Sequence, residues 1–167
     1  AIAPLARIIA IAVDPVVNST LLNIGRMISA AAEQSPIIMG FLLGGIMKMI
    51  CTSPLSSMAL TAMLGLDGLA MGIAAIACVG GSFTNGIIFD RLKLGERSNV
   101  IAVMLEPLTQ ADIITQNPIP IYGSNFFGGG LAGLAAAMLG IINNAPGTAS
   151  PIPGLLAPFG FNPPLKV

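Results

Sequence analysis

The chain has 167 residues, of which 8% are charged and 54% hydrophobic, and its formal net charge is zero. An ordinary soluble domain carries about 25% charged residues, so these proportions exclude a typical soluble enzyme and a disordered tail and point to an integral membrane protein. Histidine is absent, which removes phosphohistidine chemistry, a Ser-His-Asp triad and His-ligated metals; nothing basic enough for nucleic acid is present.

The chain begins Ala-Ile-Ala-Pro, without an initiator Met or a charged signal region, and is expected to be a fragment of a longer protein. Residues 16–33 form the first expected element. Ser19, Asn23, Arg26 and Glu33 recur at helical spacing opposite Val17, Leu21, Ile24 and Ile28. That pattern predicts an amphipathic helix starting after Asp14-Pro15, lying at the membrane interface or else spanning with its polar stripe against other helices. Ser35-Pro36 opens a helix over 36–50, with Lys48 near its end placed to snorkel or pair. The segment Cys51-Thr52-Ser53-Pro54 then breaks the chain, and a second helix is expected over 54–65. Cys51 and Cys78 sit in apolar surroundings without CxxC spacing and read as free buried thiols.

Residues 68–89 carry no charge. About 20 apolar residues cross the hydrocarbon, so this is the clearest span. The only charge cluster, Asp90–Arg97, holds Arg91, Lys93 and Arg97 and is placed in the cytoplasm by the positive-inside rule. A short helix follows over 98–106, then a polar hairpin over 107–121, then a last span over 124–143. The remainder, 146–167, reads as a Pro/Gly-rich apolar tail without helix. Glycines spaced by four at Gly40/Gly44, Gly68/Gly72 and Gly129/Gly133 predict close helix approach. With 20 glycines and 13 prolines, the expected fold is an all-α integral membrane bundle, polytopic, with broken helices and re-entrant hairpins buried in protein. One membrane domain, 1–167, contains the whole chain.

Two constellations carry chemistry. Glu106, Thr109, Gln110 and Asp112, with Asn117 closing the hairpin, place carboxylates, amides and a hydroxyl between apolar helices. Ionisable groups at membrane depth commonly face a cavity or a pathway, and these groups suit sugar hydroxyls. The second is the break Thr52-Ser53-Pro54-Leu55-Ser56-Ser57, with Thr52, Ser53 and Ser56 as its binding candidates, where a helix start would aim free N–H groups at the break. Ser82, Thr84 and Asn85 interrupt the 68–89 span, and Asn85 is taken as a further lining residue; Asn125 is similar. P-loop, GxSxG and HExxH motifs are absent, and no metal or cofactor is expected.

The segments Thr52-Ser-Pro-Leu-Ser-Ser-Met-Ala-Leu, Met63-Leu-Gly-Leu-Asp-Gly-Leu-Ala-Met-Gly-Ile-Ala-Ala-Ile-Ala-Cys78 and Gln116-Asn117-Pro118-Ile-Pro120 resemble, in order and spacing, the EIIC-like membrane proteins of the sugar phosphotransferase system, some of them described as toxin regulators. The resemblance covers residues 36–145. Two segments depart from the family pattern: Gly80-Gly81-Ser82-Phe83 after the cysteine, and Glu106-Pro-Leu-Thr-Gln-Ala, which introduces a carboxylate. The resemblance implies the C-terminal half of a bacterial, multi-pass inner-membrane transporter, a homodimer working with a separate cytoplasmic EIIB-like partner that phosphorylates the sugar. The expected function is alternating-access transport of a small polar solute such as a sugar, with the site near the 106–117 hairpin and no enzymatic step on this chain. A non-transporting membrane sensor or regulator with the same fold, and a structural subunit of a membrane complex, are the alternatives.

Overall fold

The computed structural model describes residues 2–167. It is all-helical there: α1 (Ile2–Gln34), α2 (Pro36–Thr52), α3 (Ser57–Met63), α4 (Gly68–Arg91), α5 (Arg97–Leu105), a 3-10 turn (Pro107–Gln110), α6 (Ala111–Gln116), α7 (Pro118–Leu139), α8 (Pro151–Leu156) and a last 3-10 turn (Ala157–Gly160).

The core is made by α2, α4 and α7, and small residues make it. Gly40 faces Ala137, Gly44 faces Gly129 and Gly133, and Gly45 faces Phe126, so α2 and α7 run antiparallel with their backbones nearly touching. A Cβ on Gly44 would stand 2.6 Å from the Gly129 carbonyl oxygen and 2.9 Å from the Gly133 Cα. Two of the three expected glycine pairs therefore form one interface. The third does not: Gly68 is a turn residue at φ +53 with open space around it, while Gly72 packs on the Ile141 carbonyl. Gly80 faces Ala132 and Gly128 faces Thr84, so α4 is also antiparallel to α7, and α2 and α4 run the same way. The bundle has two ends. One holds the start of α4, tied by the Asn143 N–H to the Gly68 carbonyl at 2.9 Å. The other holds the charged turn that follows α4.

Three hairpins stop inside this frame. At 1.5 Å per residue, the 24 residues of α4 run about 36 Å and the 17 of α2 only about 25 Å. Thr52, the last residue of α2, meets Asn85 rather than the end of α4. The chain reverses there and α3 returns to the first end, where Leu64 lies against Gly25 of α1. From the opposite end α5 climbs along α4, with Met104 against Gly86, and turns back at Glu106-Pro107. The third hairpin leaves Gly140, a left-handed C-cap at φ 58, and descends to α8, where Gly154 packs on the Ala75 carbonyl. Asn162 closes its base, its Oδ1 accepting from the Ile142 N–H at 3.0 Å and its Nδ2 donating to the Ile142 carbonyl at 2.7 Å.

Several expected boundaries move. α1 does not start after Pro15; it runs through it. Proline removes one backbone bond, and the apolar run before it carries the helix across. The stripe that α1 buries is Leu21, Gly25, Ile28 and Ala32, while Val17 and Ile24 stay exposed, because Gly25 rather than a bulky residue sets the closest approach. The helix expected from Pro54 starts at Ser57. Ser56 is its N-cap, its Oγ accepting from the Ala59 N–H at 3.1 Å, so the helix start lies at the Ser56 cap and not at Pro54. The polar hairpin ends at Asn117: Pro118 and Pro120 open α7 itself, since the first turn needs no N–H donors. The last helix thus covers 118–139, not 124–143. The same reason corrects the tail, where Pro151 and Pro153 sit in the first turn of α8.

Candidate solute site

The three hairpin tips converge on one small cavity of about 40 Å³, lined by Cys51, Leu55, Ser56, Ser57, Met58, Glu106, Leu108 and Ser150. The first tip supplies Ser56 and Ser57, the second Glu106, the third Ser150. The Ser57 hydroxyl donates to the Ala149 carbonyl at 2.6 Å and pins the first tip to the third. Glu106 stands at the C-cap of α5 in extended backbone, because Pro107 forbids continuation of the helix. One of its carboxylate oxygens accepts weakly from the Leu108 N–H at 3.4 Å. It keeps acceptor capacity for a ligand.

Behind the cavity lies a polar seam through the three core helices. Lys48 is fully buried, its stem wedged between Gly81 and Gly129 and its Nζ 3.4 Å from the Cys78 carbonyl oxygen. It does not snorkel: the four-residue series Gly40, Gly44, Lys48, Thr52 keeps it on the face that packs. Asn85 Nδ2 donates to Thr52 Oγ1 at 3.3 Å. Asn125 Nδ2 donates to Asn85 Oδ1 and, at 2.9 Å, to the Ile121 carbonyl. The Asn125 Oδ1 is buried without a partner. Cys51 and Cys78 are free and buried.

The expected site residues divide accordingly. Glu106 and Ser56 meet at the cavity; Thr52 and Asn85 belong to the seam one helical turn away. Ser53 is a C-cap, its Oγ donating to the Ile50 carbonyl at 2.7 Å. Thr109 and Gln110 are spent on the second tip: Thr109 Oγ1 donates to the Glu106 carbonyl at 2.8 Å, and Gln110 Oε1 accepts from Asn99 Nδ2 at 2.6 Å. Asp112 lies exposed in the first turn of α6, and Asn117 Nδ2 donates to the Ile113 carbonyl at 3.1 Å. Neither reaches the cavity. Ser57 belongs to the 52–57 break that the sequence singled out; Ser150 was not singled out by the sequence. Their hydroxyls become site groups only through the meeting of segments 92 residues apart, as the Ser57–Ala149 bond shows.

The sequence profile of the family described as "Phosphotransferase system, EIIC" matches residues 1–166. The chain belongs to that family. As an EIIC domain it is a component of a phosphotransferase-type transporter. The match extends past the 36–145 resemblance to include α1 and the third hairpin, so all three tips belong to the EIIC domain. No curated protein and no solved structure matches the chain.

Proposed function

We propose that this EIIC chain spans the bacterial inner membrane several times and carries a small polar solute, a sugar or sugar-like molecule, at the point where the three hairpin tips meet. The observation that carries this reading is the convergence of Glu106, Ser56, Ser57 and Ser150, one or more from each hairpin tip, around one cavity. A carboxylate with free acceptor capacity and three hydroxyls match the donor and acceptor pattern of a sugar. The cavity holds little more than water, so solute enters when the tips part. Movement of hairpins against the α2–α4–α7 frame gives alternating access.

The surface supports the membrane reading. α4 is the one helix among the described residues long and apolar enough to cross by itself. Ile37, Ile38 and Ile46 of α2, Phe83 and Ile87 of α4, and Phe127, Leu131 and Met138 of α7 are exposed as well, which gives the frame an apolar outer face. Arg91, Lys93 and Arg97 at the charged turn support a cytoplasmic position for that end, the side on which an EIIB-type partner would phosphorylate the solute. In this reading the chain forms a homodimer and makes and breaks no covalent bond in the solute.

The test is a thermal-stability screen of purified full-length protein in detergent against sugars, followed by uptake in proteoliposomes. A ligand that binds only the native state raises the melting point by mass action. The shift should vanish in Glu106→Gln while the fold persists. Binding without flux in the native protein would favour the sensor reading; a shift that survives in Glu106→Gln would remove Glu106 from the site.

A further inference from the structure

We propose that the hydrogen bond from Ser57 to Ala149 is the latch that holds the solute cavity shut, and that the neighbouring Ser150 hydroxyl, sealed without a partner, keeps that closure reversible. The first observation is the bond itself. Ser57 Oγ donates to the Ala149 carbonyl at 2.6 Å across 92 positions of chain, and both residues are buried. Among the described residues it is the hydrogen bond that joins one tip to another. The second tip spends its groups within its own hairpin: Glu106 on the Leu108 N–H, Thr109 on the Glu106 carbonyl and Gln110 on Asn99. The first tip is tied to the frame through Thr52 and Asn85, and the third through Gly154 against the Ala75 carbonyl. The two tips can therefore part at Ser57 while each hairpin stays attached to the frame.

The second observation is what closure costs. Ser150 is 5% exposed and lines the cavity. It holds the N-cap position of α8, yet its side chain makes no capping bond and has no other hydrogen-bond partner among the described residues. The Ser56 oxygen, by contrast, is used on the Ala59 N–H. A hydroxyl shut away without a partner is unfavourable and regains water when the tips part. Closure thus sets one buried bond against one stranded hydroxyl, effects of similar size and opposite sign. That is the condition for two forms close in free energy. Removing the Ser57 hydroxyl strands the Ala149 carbonyl as well and favours parted tips. Removing the Ser150 hydroxyl relieves the closed form and favours shut ones. The chain carries its own reporter of the difference: Cys51 lines the cavity, whereas Cys78 is 0% exposed and does not line it.

The latch stands on the geometry of the tips; its use in admitting a solute rests on the transport reading above. Full-length protein in membranes is treated with methyl methanethiosulfonate, a small neutral thiol reagent, and modification of Cys51 and of Cys78 is followed separately by peptide mass. While the tips open and close faster than the reagent acts, the Cys51 rate follows the open fraction, and Cys78 marks loss of the whole fold. Ser57→Ala should raise the Cys51 rate about fivefold or more, the population change that one net hydrogen bond carries, with the Cys78 rate unchanged. Ser150→Ala, which loses no bond, should lower the Cys51 rate below that of the native chain. Equal Cys51 rates in the native chain and Ser57→Ala overturn the latch, and so does a Ser150→Ala rate equal to or above the native one. If Ser57→Ala speeds both cysteines together, its fold is lost and Ser150→Ala alone decides. A preparation in which Cys51 responds as expected but no sugar of the thermal screen binds or crosses counts against the transport reading and leaves the latch standing. Sugar uptake with an unresponsive Cys51 does the reverse.

Discussion

At the scale of single residues, the buried polar seam governs the balance between stability and use. Lys48 is fully enclosed, with one long hydrogen bond. Burying an amino group so poorly bonded costs several kcal/mol relative to an apolar side chain of the same shape. Lys48→Met is therefore expected to raise the melting temperature in detergent, and to abolish uptake if the amino group serves the site. A melt of the two proteins side by side reads the first part; a lower melting point for the variant would mean that Lys48 is satisfied by a partner near Glu106. Asn85 acts in the opposite direction. It joins Thr52 to Asn125, so Asn85→Ala leaves the Thr52 hydroxyl without its donor and removes one of the two acceptors of Asn125 Nδ2, at a cost of about 1–3 kcal/mol. A double-mutant cycle with Asn125→Ala should show coupling between the two positions, because they share a bond.

At the scale of elements, glycine has opposite meanings in a packed helix seam and on an exposed helix face. On α2, a Cβ at Gly44 meets backbone of α7 at 2.6 and 2.9 Å, atoms that cannot give without separating the helices. Gly44→Ala should lower stability by about 1–3 kcal/mol. On the exposed side of α7, Gly123 has nothing within 4 Å of its added Cβ. Gly123→Ala should raise stability by about 0.5–1 kcal/mol through helix propensity alone. Paired thermal melts check the sign of both, and equal signs would mean that the α2–α7 seam is not where the glycines place it. The hairpins depend on their caps in the same way. Ser56 starts α3, Pro107 ends α5, and Asn162 holds the base of the third hairpin; each is a short-range device that decides where a tip stops.

At the scale of the molecule, the two ends of the bundle should lie on opposite sides of the membrane. Ser98 follows the charged turn and Pro146 lies in the turn after α7, and both are exposed. In intact cells, a membrane-impermeant maleimide is expected to label Pro146→Cys and not Ser98→Cys, with Ser98→Cys becoming reactive once the membrane is permeabilised. The native cysteines are buried and leave the background low. Labelling of both from one side would contradict the frame of antiparallel α4 and α7 as a spanning unit.

Much of this was legible in the residues. Composition gave the apolar class, because an 8% charge content leaves too little polar surface for water. The existence of α2, α4, α5 and α7 followed from runs bounded by Pro36, Gly68, Arg97 and Gly140, each of which acts on the backbone within a turn of itself. Glu106 could be picked out because a carboxylate beside proline between apolar helices is costly unless used. Where sequence reasoning misplaced a boundary at Pro15, Pro118 and Pro151, it read proline as a breaker, and position within the helix decides whether the missing N–H matters; at Pro54 it read proline as a helix start, and the Ser56 cap sets the start instead. What only the tertiary structure decided is which polar residues meet. Asp112 and Glu106 are six positions apart and do not share a cavity, whereas Ser57 and Ser150 are far apart and do. Lys48 has the sequence of a snorkelling residue and lies sealed between two glycines. The physical reason is common to these cases: local spacing sets which way a side chain leaves its own helix, but burial and partners depend on the face another segment presents, and that segment is chosen by packing.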